Sequence, residues 1–226
     1  MSVLPSIDPS LESHPLCIDL VPTERVSPKL REALRARGAP DDPEAEPRSF
    51  SAQQLKTLRA MVARILPDAA AYHIDLALRL DEMMAEQEGN GWRYQALPTD
   101  PEAYRIGLET LKDLARSETG EGFADLSGAE QDRLLEGLDS GAFQLPEQQE
   151  RFTAEQMKLW FEEVRSDAVR HYVAHPAIMA RIGYSGFANG GATGAGFQGF
   201  QKVGMDERES WEPEPTDPSY PVELAR

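Results

Sequence analysis

Residues 51–67 read SAQQLKTLRAMVARILP, and this stretch decides the fold class. Its apolar side chains recur every three or four residues, which places them on one face of a helix; they are Leu55, Leu58, Met61, Val62, Ile65 and Leu66. Ser51 and Gln54 have the spacing of a capping box, in which each side chain bonds the backbone N–H of the other residue. Pro67 cannot continue a helix. The stretch therefore predicts an amphipathic helix with defined ends.

Four further helices are predicted downstream from the same periodicity and from helix start and stop residues. They run from about Ala70 to Gln87, from Asp100 to near Gly120, from Ser127 to Gly141, and from Thr153 toward His175, where Pro176 interrupts the pattern. No alternation of period two accompanies them. The sequence thus predicts an all-α fold, a compact bundle of about five helices with long irregular N- and C-terminal arms.

Both ends of the chain have compositions that resist regular structure. Residues 1–49 are rich in proline and charge, and only one short helix is predicted there, from Ser27 to Leu34. We therefore predict three regions. They are an extended proline-rich arm over 1–49, a helical domain over 50–180, and a glycine-rich strap with an acidic, proline-rich tail over 181–226.

Composition excludes several classes of function. With 39 acidic and 23 basic side chains the formal net charge is −16, which opposes binding to nucleic acids or to anionic lipid. The sequence has no apolar run of about 18 residues, the length that a membrane-spanning helix needs. It begins with neither a signal peptide nor a twin arginine. We expect a soluble chain without an export signal of its own, which is cytoplasmic, or periplasmic if it is exported with a partner.

The strongest candidates for chemistry are His171 and His175. They lie four residues apart on the fifth predicted helix, so both imidazoles share a helix face, as zinc ligands do. No glutamate follows His171 directly, and no third ligand is evident. We therefore favour packing or helix-terminus roles and predict no catalytic, metal-binding or cofactor-binding residue. A stand-alone metal-dependent or hydrolytic enzyme built on these histidines is kept as an alternative.

Two other features invite a chemical interpretation. The glycines between 183 and 196 could wrap a phosphate, but no strand precedes them and neither a helix nor a lysine follows, as nucleotide motifs require. We interpret this segment as a flexible loop or a partner-bound strap. The single cysteine, Cys17, excludes an internal disulfide and a c-type haem and is interpreted as an unpaired thiol. The many carboxylates are interpreted as solvated helix faces.

Several aromatic rings lie outside the predicted helices, in irregular segments that cannot readily bury them. Such rings need another surface, and the sequence leaves open whether this domain or a second protein provides it. The candidates for partner contact are Trp92, Tyr94, Tyr184, Phe187, Phe197, Phe200 and Trp211.

A series of short motifs occurs in a fixed order along nearly the whole chain. They are VSPKLREAL at 26–34, RILP at 64–67, GWRYQALP at 91–98, AYRIGL at 103–108, GFA at 122–124, WF at 160–161, YVAHP at 172–176, RIGY at 181–184 and WEP at 211–213. This order resembles the gluconate 2-dehydrogenase subunit 3 family, the small subunits that partner flavoproteins of the glucose-methanol-choline (GMC) type.

The resemblance implies a non-catalytic helical subunit that binds a FAD-dependent GMC-type sugar dehydrogenase tightly, helps it to mature, and in some complexes works beside a cytochrome c subunit. The FAD is expected in the partner, and the family supplies no catalytic residue to this chain. Two departures stand out: several family members carry a twin-arginine export signal, and their loop at the position of residues 182–184 is shorter. A helical adaptor that docks on several partners is a further alternative.

Overall fold

The computed structural model describes residues 14–42, 44–87, 93–143, 145, 149–187, 201–202, 204–205 and 207–217. Across these residues the regular structure is helical throughout, which confirms the all-α prediction. Contacts divide the chain into two compact units, named here the terminal unit, Met1–Ala39 with Val173–Arg226, and the central unit, Pro40–Tyr172. The predicted domain limits at 49/50 and 180/181 differ from these limits and stay predictions.

The α-helices are, in chain order, α1 (Cys17–Leu20), α2 (Pro28–Arg37), α3 (Ala52–Ile65), α4 (Leu76–Glu86), α5 (Asp100–Thr119), α6 (Gly128–Ser140), α7 (Ala154–Val173) and α8 (Pro176–Arg181). Short 3-10 segments occupy Thr23–Arg25, Pro67–Tyr72 and Phe123–Asp125. None of the helices in the described part of the chain is long and apolar enough to cross a membrane.

Helices α3 to α7 correspond to the five predicted helices, and three of them begin with the predicted capping boxes. At the start of α3, Ser51 Oγ accepts the N–H of Gln54 at 3.2 Å, and Gln54 Oε1 accepts the N–H of Ser51 at 2.9 Å. The same reciprocal pairs open two other helices: Ser127 with Glu130 at α6 and Thr153 with Gln156 at α7. Local sequence therefore sets where these helices begin.

The second helix begins later than predicted. The structure places a 3-10 segment at Pro67–Tyr72 and a left-handed residue at His73, and α4 begins only at Leu76. Asp75 caps α4 by accepting the N–H of Leu78 at 3.1 Å. In turn, the Asp75 N–H donates to the carboxylate of Asp41 at 2.8 Å. A contact from an earlier segment thus fixes the start of α4, which helical periodicity alone could not predict.

One part of the core of the central unit lies where α5 meets α7, and α3 packs against α4, α5 and α6. Trp160 of α7 is fully buried, and its indole lies directly against Gly107 of α5. A Cβ at Gly107 would lie 2.2 Å from Cε2 of Trp160, so only glycine permits this approach. The Tyr104 ring meets the same indole edge-on, at 6.3 Å between ring centroids. Burial of such large rings supplies a substantial part of the hydrophobic free energy of folding.

The terminal unit has an apolar cluster of its own. Helices α1, α2 and α8 contribute to it, and its buried members are Cys17, Ile18, Val21, Val26, Leu34, Ala180 and Phe187. The predicted short helix from Ser27 is confirmed as α2, with Ser27 Oγ accepting the N–H of Leu30 at 3.3 Å. Helices α1 and α8 were not predicted, because four and six residues are too few to show a period.

Candidate functional site

The described residues include four of the seven aromatic candidates for partner contact. Trp92, Phe197 and Phe200 lie outside the described part of the chain. Tyr94 belongs to the central unit, whereas Tyr184, Phe187 and Trp211 belong to the terminal unit. The candidates therefore fall into two groups, which are taken in turn.

In the terminal unit, two of the three rings pack against the unit itself. Phe187 is 5% exposed within the apolar cluster, and Trp211 packs against that cluster beneath the guanidinium of Arg25, 4.5 Å from the ring centroid. Tyr184 is 40% exposed; its ring meets Phe187 edge-on at 5.5 Å, and its hydroxyl donates to the carbonyl of Gly186 at 2.8 Å. Tyr184 is thus the ring that this group presents to solvent.

In the central unit, Tyr94 lies on the segment 93–99, named here the 93–99 loop. The hydroxyl of Tyr94 shares a hydrogen bond with Glu162 of α7, and this bond raises the pKa of Tyr94. Gln156 Nε2 of α7 donates to the carbonyl of Ala96 at 2.9 Å, and the side chain of Leu97 is buried. The 93–99 loop is therefore fastened to α7 by two polar contacts and one apolar anchor.

A group of buried titratable side chains lies beside this loop. Asp167 of α7 accepts a hydrogen bond from the hydroxyl of Tyr104 at 3.0 Å and another from Arg170 Nη2 at 3.0 Å. Burial raises the pKa of Asp167, while the bond from Tyr104 lowers it. Burial, with the neighbouring charge of Asp167, raises the pKa of Tyr104 well above its usual value. Both groups thus have donors or acceptors that satisfy them.

Glu163, one helical turn before Asp167, lacks such donors. Its Oε1 atom is shielded from solvent and has no hydrogen-bond partner in the described part of the chain, and the same holds for Nε1 of Trp160. Burial, and then the charges of Asp167 and Asp100, raise the pKa of Glu163 to about 7. All four residues line a cavity of about 10 Å³, which is about the space that one water molecule needs.

A carboxyl with a pKa near neutrality can exchange a proton in the physiological range, which is the property of a general acid or base. The adjoining cavity of about 10 Å³ has room for one water molecule but not for a sugar. Sequence reasoning missed Glu163 because it interpreted the carboxylates as solvated helix faces. The available signal was the spacing of Glu163 and Asp167, which puts two like charges on one face of α7.

A larger groove, of about 850 Å³, lies on the central unit next to the 93–99 loop. Three arginines line it together with Asp100 and Glu102; they are Arg48, Arg93 and Arg105. Arg48 pairs with Glu86 at 2.7 Å, and Arg105 donates to Ser49. Among the described residues, neither Arg93 nor Arg105 has a carboxylate within ion-pair distance. The groove is polar, and two of its arginines, Arg93 and Arg105, can bind a carboxylate by donating hydrogen bonds to it.

The two histidines of the alternative interpretation have separate local roles. His171 Nε2 lies 3.4 Å from Sδ of Met83, to which Arg170 Nη2 also donates. His175 is buried and caps α8, with its Nδ1 accepting the N–H of Ala177 at 3.3 Å. Over the described ranges, no group of three or more His, Cys, Asp or Glu side chains is placed to hold a metal ion.

Cys17 is a buried thiol whose Sγ lies 3.7 Å from Sδ of Met179. Burial raises the pKa of Cys17 to about 11. Because the thiolate is the reactive form of cysteine, a thiol with so high a pKa is chemically inert at neutral pH. Its observed place is in the apolar cluster of the terminal unit.

These features define an all-helical protein with aromatic rings carried on irregular segments. Its family is established by a match between residues 52–191 and the family model described as gluconate 2-dehydrogenase subunit 3; the chain belongs to this family. The resemblance inferred from the ordered motifs is thereby confirmed. No curated protein and no solved structure matches the chain. The family description places the chain among dehydrogenase subunits.

Proposed function

We propose that this chain is a non-catalytic small subunit that binds, stabilises and helps to mature a flavin-dependent GMC-type dehydrogenase of sugars or glycosides. The observation that carries the proposal is the family match over residues 52–191. The large subunit would hold FAD and perform the hydride transfer, and a cytochrome c subunit would accompany it in some complexes.

The geometry of the central unit supports an accessory role. Glu163, whose pKa is raised to about 7, adjoins a cavity that has room for a water molecule but not for a sugar. The larger groove is lined by Arg93 and Arg105, neither of which has a carboxylate partner among the described residues, and one aromatic residue, Tyr94, lies on the adjoining 93–99 loop. Arginines and aromatic rings are the side chains that protein interfaces favour. The groove therefore suits the carboxylates of a protein surface.

The contact residues of this proposal are the seven aromatic candidates, Trp92, Tyr94, Tyr184, Phe187, Phe197, Phe200 and Trp211. Among those that the structure describes, Tyr184 offers the most accessible ring. Phe187 is buried, so its part would be to hold the ring of Tyr184 in place. Interfaces concentrate binding free energy in a few such aromatic anchors.

A tagged pull-down from native cells, with mass identification and an absorption spectrum of the eluate, tests the proposal. We expect a yellow complex that contains a large flavoprotein. The flavoprotein is then expressed with and without this chain, and its FAD content and dehydrogenase activity are compared. A flavoprotein that is stable, FAD-loaded and active without the chain would overturn the proposed role, as would a colourless, solitary chain in the pull-down.

A pair of variants then locates the contact. Tyr184→Ala should weaken the complex at least about fivefold, because the loss of an aromatic anchor typically costs more than about 1 kcal/mol of binding free energy. Met205→Ala is the matched control, since Met205 is also exposed and lies in the same unit. Equal affinities for the two variants would remove Tyr184 from the contact. A thermal unfolding curve of each free variant serves as the check that both variants fold.

A further inference from the structure

The starting observation is a buried donor and a buried acceptor that lack partners beside one small cavity. Trp160 Nε1 and Glu163 Oε1 form no hydrogen bond within the described part of the chain, although neither atom is open to solvent. An unsatisfied buried polar group is unfavourable, and an ionised group left in that state is far more unfavourable than a neutral one. The closed site therefore favours the protonated form of Glu163.

The 93–99 loop closes one side of this site. Arg93, Leu97 and Pro98 line the cavity from the loop, opposite the residues of α5 and α7. The contacts of Tyr94 with Glu162 and of Ala96 with Gln156 fasten the loop to α7. Glu163 is half-buried, and only its Oε1 atom is shielded from solvent. Undocking of the loop would open the cavity and give this Oε1 atom access to bulk water.

The charges around Glu163 come from three elements and are mostly negative. They are Glu162, Asp167 and Arg170 on α7, Asp100 and Tyr104 on α5, and Arg93 and Tyr94 on the loop. Arg170 and the hydroxyl of Tyr104 both donate their hydrogen bonds to Asp167. Ionised Glu163 would thus add a negative charge next to other carboxylates, while its shielded Oε1 atom has no hydrogen-bond donor among the described residues.

We propose that Glu163 is a proton-controlled latch for the 93–99 loop: the protonated carboxyl keeps the loop docked on α7, and ionisation of the carboxyl releases it. The cavity has room for one water molecule, and a water placed there could bridge the neutral carboxyl and Nε1 of Trp160 and so satisfy both atoms. Once the carboxyl is ionised, its shielded Oε1 atom needs more donors than the small cavity can supply, and it gains water as a donor when the loop moves away.

Linkage gives the direction and the pH window. With the loop docked, burial and then the charges of Asp167, Asp100 and Glu162 raise the pKa of Glu163 from its ordinary value of 4.5 to about 7. A carboxyl with a raised pKa binds its proton more tightly in the docked state, so docking is most stable below about pH 4.5 and weakens as the pH rises toward about 7. Above that pH both states are ionised and the effect is constant.

Hydrogen exchange of the amides in residues 93–99, corrected for the intrinsic pH dependence of exchange, measures the docking equilibrium. In the wild-type chain we expect exchange to accelerate by about tenfold between about pH 5 and about pH 8, which corresponds to recovery of about one pKa unit on release. Glu163→Gln mimics the protonated carboxyl, so its exchange should stay slow at every pH. Glu155→Gln, an exposed position in the first turn of α7, is the matched control and should follow the wild type.

A second readout uses the indole that shares the cavity. In a Trp92→Phe, Trp211→Phe background, Trp160 is the sole tryptophan, and its fluorescence should titrate in the same pH window as the exchange. Glu163→Ala, which has no carboxyl to ionise, should abolish that titration, and it serves if Glu163→Gln folds poorly. A wild-type loop whose exchange does not change with pH overturns the proposal. So does slower exchange at high pH, because it would mean that Arg93 pairs with the ionised carboxyl.

Discussion

Two carboxyl groups of the central unit, the fully buried Asp81 and the half-buried Glu163, differ in the number of donors that reach them. Asp81 is fully buried and accepts three backbone N–H groups, from Arg48 at 2.6 Å, Ser49 at 2.9 Å and Phe50 at 2.7 Å. Glu163 Oε1 accepts none within the described residues. Burial of a charge is tolerated where donors replace its water, so Asp81 can act as a structural anchor, whereas Glu163 responds to pH.

The anchor at Asp81 also shows how one carboxylate sets the entry of a helix. The three N–H groups that it accepts immediately precede Ser51, the cap of α3. The ring of Phe50 stacks on Tyr104, with 5.9 Å between the ring centroids. Tyr104 in turn contacts the indole of Trp160 edge-on and donates a hydrogen bond to Asp167. The rings of Phe50 and Tyr104 therefore connect the site of Asp81, which has enough donors, with the site of Glu163, which lacks them.

The variant Gly107→Ala should cause the greatest loss of stability, and it tests whether Glu163 Oε1 lacks hydrogen-bond donors because the packing around it is loose. Gly107→Ala would place a Cβ 2.2 Å from the indole of Trp160, so it should lower the free energy of unfolding by about 3 kcal/mol, as overpacked cores do. Urea unfolding measures this change. Gly128→Ala is the control, because its Cβ meets only the flexible guanidinium of Arg64 at 3.2 Å; it should stay within about 0.5 kcal/mol of the wild type. A tolerated alanine at 107 would mean that the cavity forms part of a loosely packed region.

Asp81→Asn tests the other member of the comparison. The amide keeps one acceptor oxygen but turns an NH₂ group toward backbone donors, so the free energy of unfolding should fall by about 2 kcal/mol. Its matched control is Glu82→Gln, since Glu82 is exposed one residue further along α4 and should change stability by less than about 0.5 kcal/mol. Equal losses in both variants would show that the three hydrogen bonds do not anchor the entry to α3.

The helices with strong local signals were the predictable part of the fold. Reciprocal caps at Ser51, Ser127 and Thr153 and left-handed stops at Gly120 and Gly141 act within one turn of the chain, so sequence reveals them. The start of α4 depends instead on Asp41, which is 34 residues away from Asp75. Such long-range contacts leave no periodic trace.

The candidate site was less predictable, because burial decides its chemistry. Glu162 and Glu163 are adjacent in sequence, yet Glu162 bonds the exposed side of the 93–99 loop while Glu163 lies beside Trp160 and the cavity. Single-sequence reasoning cannot separate two neighbouring glutamates in a chain of this net charge. The packing of α5 on α7, fixed by Gly107, makes the difference between them.

The variant Tyr104→Phe should cause the least loss of stability among the test variants, and it tests the connection between the site of Asp81 and the site of Glu163. Tyr104→Phe keeps the ring that stacks on Phe50 but removes the donor to Asp167, so the free energy of unfolding should fall by about 1 kcal/mol, the usual net value of one hydrogen bond. The pKa of Asp167, which burial raises, should rise further, because the bond from Tyr104 lowers it together with the charge of Arg170; the carboxyl carbon resonance in an NMR titration reports this change. Tyr184→Phe is the control, since its hydroxyl donates to an exposed carbonyl, and it should alter stability by only about 0.3 kcal/mol. If Tyr104→Phe leaves the titration of Asp167 unchanged, Arg170 alone holds that carboxylate, and the two sites are joined by packing without a polar link.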